Sequence, residues 1–297
     1  MDILVSGIRM ATPLILAGLG GLISFQCGDL NIALEGFMLM GSFFAVVGSF
    51  LFENALMGIL FAVLAAEFLA LVFGVFVIRF KSNVFVVGIA MNLLAAGGTV
   101  YLSRLIFNVK GSFSSPKIAP IPKLHFELLE RVPFINQLFN NHSLFIYLSW
   151  LLVIVFWVIM YKTPFGFHIR AAGEHPAALE TSGIKVNKMR WHAAIITGIT
   201  CGLAGAHLSL GYLNLFVENM TAGRGFIALA AVIFGGANPL GMAGTSMLFG
   251  VAEGASLRIQ NIGVPSQITL MFPYIATIAA LVLRSVISKE FRKKLYK

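Results

Sequence analysis

Charge is what this chain has least of. Asp, Glu, Lys and Arg make up 11% of its 297 residues, against about 25% in ordinary soluble domains, so a water-exposed globule of this size would lack polar surface. That argues strongly against a soluble enzyme. Cysteine is also scarce: Cys27 and Cys201 both lie at apolar-segment positions and read as inert buried thiols rather than a disulfide or a metal pair. The sequence holds no G-x-x-x-x-G-K-[ST] phosphate loop, so it cannot supply an ATP site itself, and no HExxH, CxxC or G-x-S-x-G motif. Nothing in it suggests a catalytic nucleophile or a metal site.

What it has in abundance is apolar sequence: 58% hydrophobic residues and 27 Phe, with a mean hydropathy of +0.90. A bilayer crossing needs about 20 mostly apolar residues. Such runs fall at roughly 3–25, 33–52, 55–78, 84–107, 143–161, 191–216, 224–238, 241–259 and 267–287. They predict an all-α fold, a polytopic transmembrane helical bundle of about 8–10 spans, forming one domain over residues 1–297. The first run has no basic lead and no small-residue cleavage site, so it reads as a retained helix. The runs at 224–238 and 241–259 are short and interrupted by Gly235-Gly236 and Asn238-Pro239. Two readings fit them: broken or half-crossing helices lining a substrate path, or a tight hairpin between tilted helices.

The net charge of +9 comes from bases at segment ends and in the tail Lys289, Arg292, Lys293, Lys294 and Lys297. They are not clustered as a nucleic-acid-binding face. They mark topology, with some attraction to anionic membrane lipid. Arg79 and Lys81 mark one cytoplasmic loop, residues 162–190 a second and the tail a third, which places 108–142, with Pro116, Pro120, Pro122 and Pro133, on the extracytoplasmic side. Counting back puts the N-terminus outside.

The 162–190 loop is polar where its surroundings are not, and it carries Arg170, Lys185, Lys188 and Arg190. Its middle reads Gly173-Glu174-His175-Pro176-Ala177-Ala178, closed by Gly183-Ile184. Pro176 suits the first turn of a short helix, Ala177 and Ala178 give it a thin face, and Gly183 ends it. A second signal is Gly28-Asp29-Leu30-Asn31-Ile32-Ala33-Leu34-Glu35-Gly36-Phe37-Met38-Leu39. Asn31 and Glu35 are spaced for one helix face and are expected to face the bundle interior. They form either a polar latch or permeation path, or a cluster satisfying helix-end backbone. A third is Gly202-Leu203-Ala204-Gly205-Ala206, small residues that permit tight helix packing, followed by His207 as a packed donor or a pore-facing group. Glu67, Asn92, Glu253 and Gln260 are the other intramembrane polar groups. Each serves either as an interhelical hydrogen-bonding group or on a transport path, where Asn92 offers a donor and an acceptor to a hydroxylated substrate.

The loop resembles the cytoplasmic coupling loop of ABC-importer permeases, in the E-x-P-x-A-A-x-x-x-G-[IV] version of the branched-chain amino-acid, simple-sugar and nucleoside group. The N-I-x-L-E-G-x-M-L run resembles the N-terminal signature of its nucleoside and simple-sugar members, and His207 departs from a glycine frequent there. The resemblance implies a plasma (bacterial inner) membrane permease that passes nucleosides or related sugars inward unmodified. It also implies two cytoplasmic ATPase subunits or one tandem ATPase carrying ATP-Mg, a second and unlike permease subunit, and an extracytoplasmic binding protein or lipoprotein. Gly173, Glu174, Pro176, Ala177, Ala178 and Gly183 would couple to the ATPase, and Asn31, Glu35, Asn92 and Glu253 are candidates for the substrate path. The competing reading is an ion-coupled carrier or channel using Glu67 or Glu253, which leaves the 162–190 loop without a role.

Overall fold

The computed structural model describes residues 2–125 and 140–260. Helix α1 (Asp2–Gln26) is followed by α2 (Leu34–Phe52), α3 (Ala55–Gly74, continuing as a π-helical turn Val75–Arg79) and α4 (Val84–Phe107). Two-residue strands follow: β1 (Ser112–Phe113), β2 (Lys123–Leu124) and β3 (His142–Ser143). The chain then forms α5 (Leu144–Lys162), α6 (Pro164–Glu174), α7 (Pro176–Thr181) and α8 (Val186–Ala206, continuing as a π-helical stretch His207–Leu213). After β4 (Phe216–Val217) come α9 (Arg224–Phe234) and α10 (Pro239–Gln260). Strand β1 pairs antiparallel with β4, and β2 with β3.

Six helices among the described residues are long and apolar enough to cross a membrane: α1 to α5 and α8, with α3 and α8 counted together with their π-helical extensions. The protein is therefore a multi-pass membrane protein. These helices are apolar around their circumference, as membrane spans are. Their ends are set by local chemistry: Asn54 caps α3 through a 2.8 Å bond from the Leu56 N–H, and Asn83 caps α4 from Phe85 and Val86. The predicted run at 267–287 and the basic tail lie outside the described residues, as does part of the 108–142 stretch.

Helix α1 is the centre of the bundle, with Leu14, Ile15, Leu16, Leu19 and Leu22 fully buried among α10, α8, α9 and α5. The small-residue run in α8 packs as its composition predicts. A methyl added at Gly202 would strike the backbone of Val63 on α3, and one at Gly205 that of Met38 and Ser42 on α2. With little hydrophobic drive between helices in lipid, such close backbone approach is what holds spans together.

The 162–190 connection is not an open loop: α6, α7 and the first turn of α8 occupy most of it. Thr163 caps α6 and Pro164 takes its first position, which the sequence reading missed. The 224–259 region resolves into an 11-residue helix and a 22-residue helix. At 1.5 Å per residue α9 is about 16 Å long, roughly half the ~30 Å hydrocarbon thickness. It is too short to cross, as the broken-helix alternative requires and two full spans joined by a hairpin do not.

The bundle has two distinct ends. At one, Gly173 lies against Gln26 and Gly28, and Gln26 Nε2 donates to the Ala237 carbonyl at 2.6 Å. At the other, Ser49 exchanges hydrogen bonds with the Ala119 backbone, Lys117 pairs with Glu53 at 3.0 Å, and the Ile121 N–H bonds to the Leu210 carbonyl. The stretch 108–125 thus caps the end opposite α6 and α7.

Candidate functional site

Two regions bring the sequence-predicted residues together, one on the α6–α7 surface and one inside the bundle. On the surface, α7 begins with Pro176 at its first position, where the missing N–H costs nothing. Glu174, Pro176, Ala177 and Ala178 are exposed, while Leu179 is buried and pins the helix to the bundle. The helix ends in a double bond pattern: the Gly183 N–H reaches the Glu180 carbonyl at 3.0 Å, and the Ile184 N–H reaches Leu179 at 3.3 Å. This closure needs a left-handed residue, and Gly183 supplies it at φ +88°.

Gly173 is placed differently from its neighbours. It is half-buried, with its Cα against the α1 end, where Gly28 takes φ +94°. Beside this joint Arg190 lies 3.6 Å from Asp29. Burial pushes the Asp29 carboxyl up from its usual range, and the Arg190 guanidinium draws it back. Burial, together with the Asp29 charge, also pushes the Cys27 thiol up to about 12, so it stays protonated and unreactive. The surface helix is thereby joined to the end of α1, and through Gln26 to the turn that follows α9.

Inside the bundle, Glu35 is buried and accepts hydrogen bonds from the Gly223 N–H at 2.8 Å and the Gly225 N–H at 2.6 Å. A carboxylate on the first N–H groups of α9 satisfies donors that no carbonyl of the helix can reach, and it complements the helix dipole. Gly225 allows this, since a methyl there would sit on the Glu35 backbone. Arg224, between these two glycines, pairs with Glu253 of α10 and donates to the Met220 and Thr221 carbonyls. Asn92 of α4 donates to the Ile32 carbonyl at 2.9 Å and accepts from the Gly36 N–H at 2.8 Å.

Asn31 is buried but does not share a helix face with Glu35, because α2 starts at Leu34. Its Oδ1 accepts from the Ala33 N–H at 2.9 Å, a local turn that competes with helix. The Asn31, Glu35 and Asn92 side chains thus all engage helix-end backbone in this structure. Arg224 is the participant that sequence reading missed. It is the sole Lys or Arg between Arg190 and Arg258, and a lone base in apolar sequence, with two acids also inside the membrane, was the available signal. Glu67 of α3 is half-buried, and its Oε2 lacks a hydrogen-bond partner among the described residues. His207 is packed: its ring stands edge-on to Phe145, with its nitrogens at 3.5 Å from Ser143 Oγ and 3.4 Å from the Arg9 carbonyl.

Residues 3–281 match the family model described as branched-chain amino acid transport system / permease component. Among curated proteins, the guanosine ABC transporter permease protein NupQ of Bacillus subtilis is 35% identical over 91% of this chain and 88% of its own length. TsgC13 of Haloferax volcanii, provisionally named a glucose ABC transporter permease, is 34% identical over 92% and 88%. The nucleoside ABC transporter permease protein NupC of Lactococcus lactis is 33% identical over 92% and 89%. No solved structure matches. With its apolar helices and an inward-facing polar network around a half-length helix, the chain belongs to this permease family, as a plasma-membrane permease component of an ABC transporter.

Proposed function

We propose that this chain is the membrane-spanning half of an importer that carries nucleosides into the cell. The observation that carries it is α7: a short exposed helix with a proline start, an alanine face and a glycine stop, anchored to the bundle by Leu179. It has the shape of a knob for a groove in another protein. The relatives named for guanosine and nucleosides favour that substrate class, and the relative named for glucose makes sugars the class to test against. The whole chain acts as a single transmembrane domain.

On this reading 162–190 is cytoplasmic and 108–142 extracytoplasmic. Two ATPase subunits, or one tandem ATPase, hold ATP-Mg and take Glu174, Pro176, Ala177 and Ala178 into a groove. Gly183 keeps that surface in shape, and Gly173 passes its movement to the end of α1. A binding protein or lipoprotein delivers solute at the opposite end, and an unlike permease subunit completes the path. Glu35, Arg224 and Glu253 fix the inner end of α9 beside that path, while Asn31 and Asn92 hold the start of α2.

The direct test is uptake of labelled guanosine, ribose and glucose by a strain lacking this gene, with and without the restored chain. Restored guanosine uptake supports the reading, and restored sugar uptake alone refutes its substrate class. Impermeant thiol reagents added outside intact cells should fail to label His175→Cys, and labelling there would reverse the topology. Gly183→Ala places a side chain at positive φ, at a cost of about 1–2 kcal/mol. It should weaken ATPase co-purification about 5- to 30-fold while the chain accumulates normally in the membrane.

A further inference from the structure

Three polar atoms around the start of α9 are buried and have no hydrogen-bond partner: Thr221 Oγ1, Arg224 Nε and Glu253 Oε2. They belong to one cluster. Arg224 Nη1 donates to the Met220 carbonyl at 3.0 Å and to the Thr221 carbonyl at 3.4 Å, and Nη2 donates to Glu253 Oε1. A guanidinium side-on to a carboxylate commonly makes two parallel bonds, which here would be Nη2 to Oε1 and Nε to Oε2. Only the first is made. The pair is half closed, with one donor and one acceptor left over. The fully buried Thr221 hydroxyl, three residues before Arg224, adds a group that is both.

Buried polar groups are nearly always paired, with protein or with a bound molecule. Whatever sits between Arg224 Nε and Glu253 Oε2 has to accept from one and donate to the other. A hydroxyl or a water does both, whereas a carbonyl, a carboxylate or an ammonium does only one. The pair is not sealed, since its side chains keep 16% and 15% of their surface. It joins α10 to the start of α9, a helix too short to cross, and interrupted helices of this kind line the solute path in transporters. Glu35 and Asn92, by contrast, are spent on backbone groups.

We infer that Thr221, Arg224 and Glu253 form the subsite that reads two adjacent hydroxyls of the carried solute. One hydroxyl bridges Arg224 Nε and Glu253 Oε2, and its neighbour bonds to Thr221 Oγ1. This builds on the nucleoside-importer reading and narrows its substrate class to ribonucleosides, whose 2′ and 3′ hydroxyls are adjacent. A site made to bond a hydroxyl rejects the analogue that lacks it, because its own buried groups are then left unpaired. Water holds the place between cycles. The turn after α9 is tied to Gln26 through the Ala237 carbonyl, so movement of α6 and α7 reaches the cluster and loosens its hold on the solute.

Uptake by the restored strain, with its own binding protein and ATPase in place, tests this. Initial rates are measured for guanosine, 2′-deoxyguanosine and 3′-deoxyguanosine at matched amounts of chain in the membrane. The chains compared are the unmodified one, Thr221→Val, which removes the hydroxyl, and Arg224→Lys, which keeps the charge and removes Nε. The binding protein is the same throughout, so a change in the guanosine-to-deoxyguanosine ratio belongs to the permease. The unmodified chain is expected to prefer guanosine over at least one deoxy analogue. That preference should narrow about 5-fold or more in each variant, the worth of about one hydrogen bond. Where Arg224→Lys fails to accumulate, Thr221→Val decides alone. No preference in the unmodified chain, or ratios that Thr221→Val leaves unchanged while all rates hold or fall together, would overturn the subsite and leave a structural water there. Absence of guanosine uptake with the unmodified chain would instead refute the nucleoside reading, and ribose against 2-deoxyribose then supplies the ratio.

Discussion

Arginine in place of Ala178 is expected to lower uptake about 30-fold or more while the chain accumulates normally in the membrane. Ala178 lies on the exposed side of α7, away from buried Leu179, so the bundle has no reason to notice the change. A docked ATPase would. A guanidinium forced into a close-fitting interface core costs at least about 2 kcal/mol, which is about 30-fold in binding. The measurements are co-purification of the ATPase and initial uptake rate at matched membrane levels. Full assembly with full uptake would mean that α7 is not the coupling element.

Leucine in place of Glu35 should be the most damaging single change inside the bundle. It leaves the part-buried Gly223 N–H and the buried Gly225 N–H without their carboxylate acceptor. Each unsatisfied buried donor costs about 1–3 kcal/mol, and Arg224 loses a nearby negative charge. A loss of about 3–5 kcal/mol follows, enough to remove much of the folded chain. Glutamine keeps one acceptor oxygen, but its amide N–H₂ then meets the other donor, so Glu35→Gln should retain about half of that stability. The two variants are compared by the amount of chain in the membrane and by the unfolding midpoint in detergent. Equal loss in both would mean that charge, not hydrogen bonding, dominates at this position.

Much of the architecture was legible because membrane constraints act locally. Apolar length marks the spans, Pro176 and Gly183 mark the ends of α7, and Gly235-Gly236 with Asn238-Pro239 mark the break after α9. The small-residue run at 202–206 announced close packing, although not its neighbours on α2 and α3. What escaped notice depends on contacts between distant parts of the chain. Glu35 meets Gly223 across 188 residues, and Gln26 meets Ala237 across 211. Neither pairing leaves a periodic trace in sequence. Arg224 did leave one, as a base between two glycines in an apolar run. The π-helical stretch Val75–Arg79 had no warning from breaker residues, since it contains neither Gly nor Pro, whereas His207–Leu213 carries a single glycine, Gly211.

The central claim, that this chain forms the path of an ATP-driven nucleoside importer, is tested most directly in sealed proteoliposomes. They would hold the purified chain with its companion permease, ATPase subunits and binding protein, oriented so that ATP can be supplied on the α6–α7 side. Accumulation of labelled guanosine that requires ATP hydrolysis, and that stops with Ala178→Arg, is the predicted result. Guanosine uptake that proceeds without ATP, driven by a proton or sodium gradient, would contradict the account.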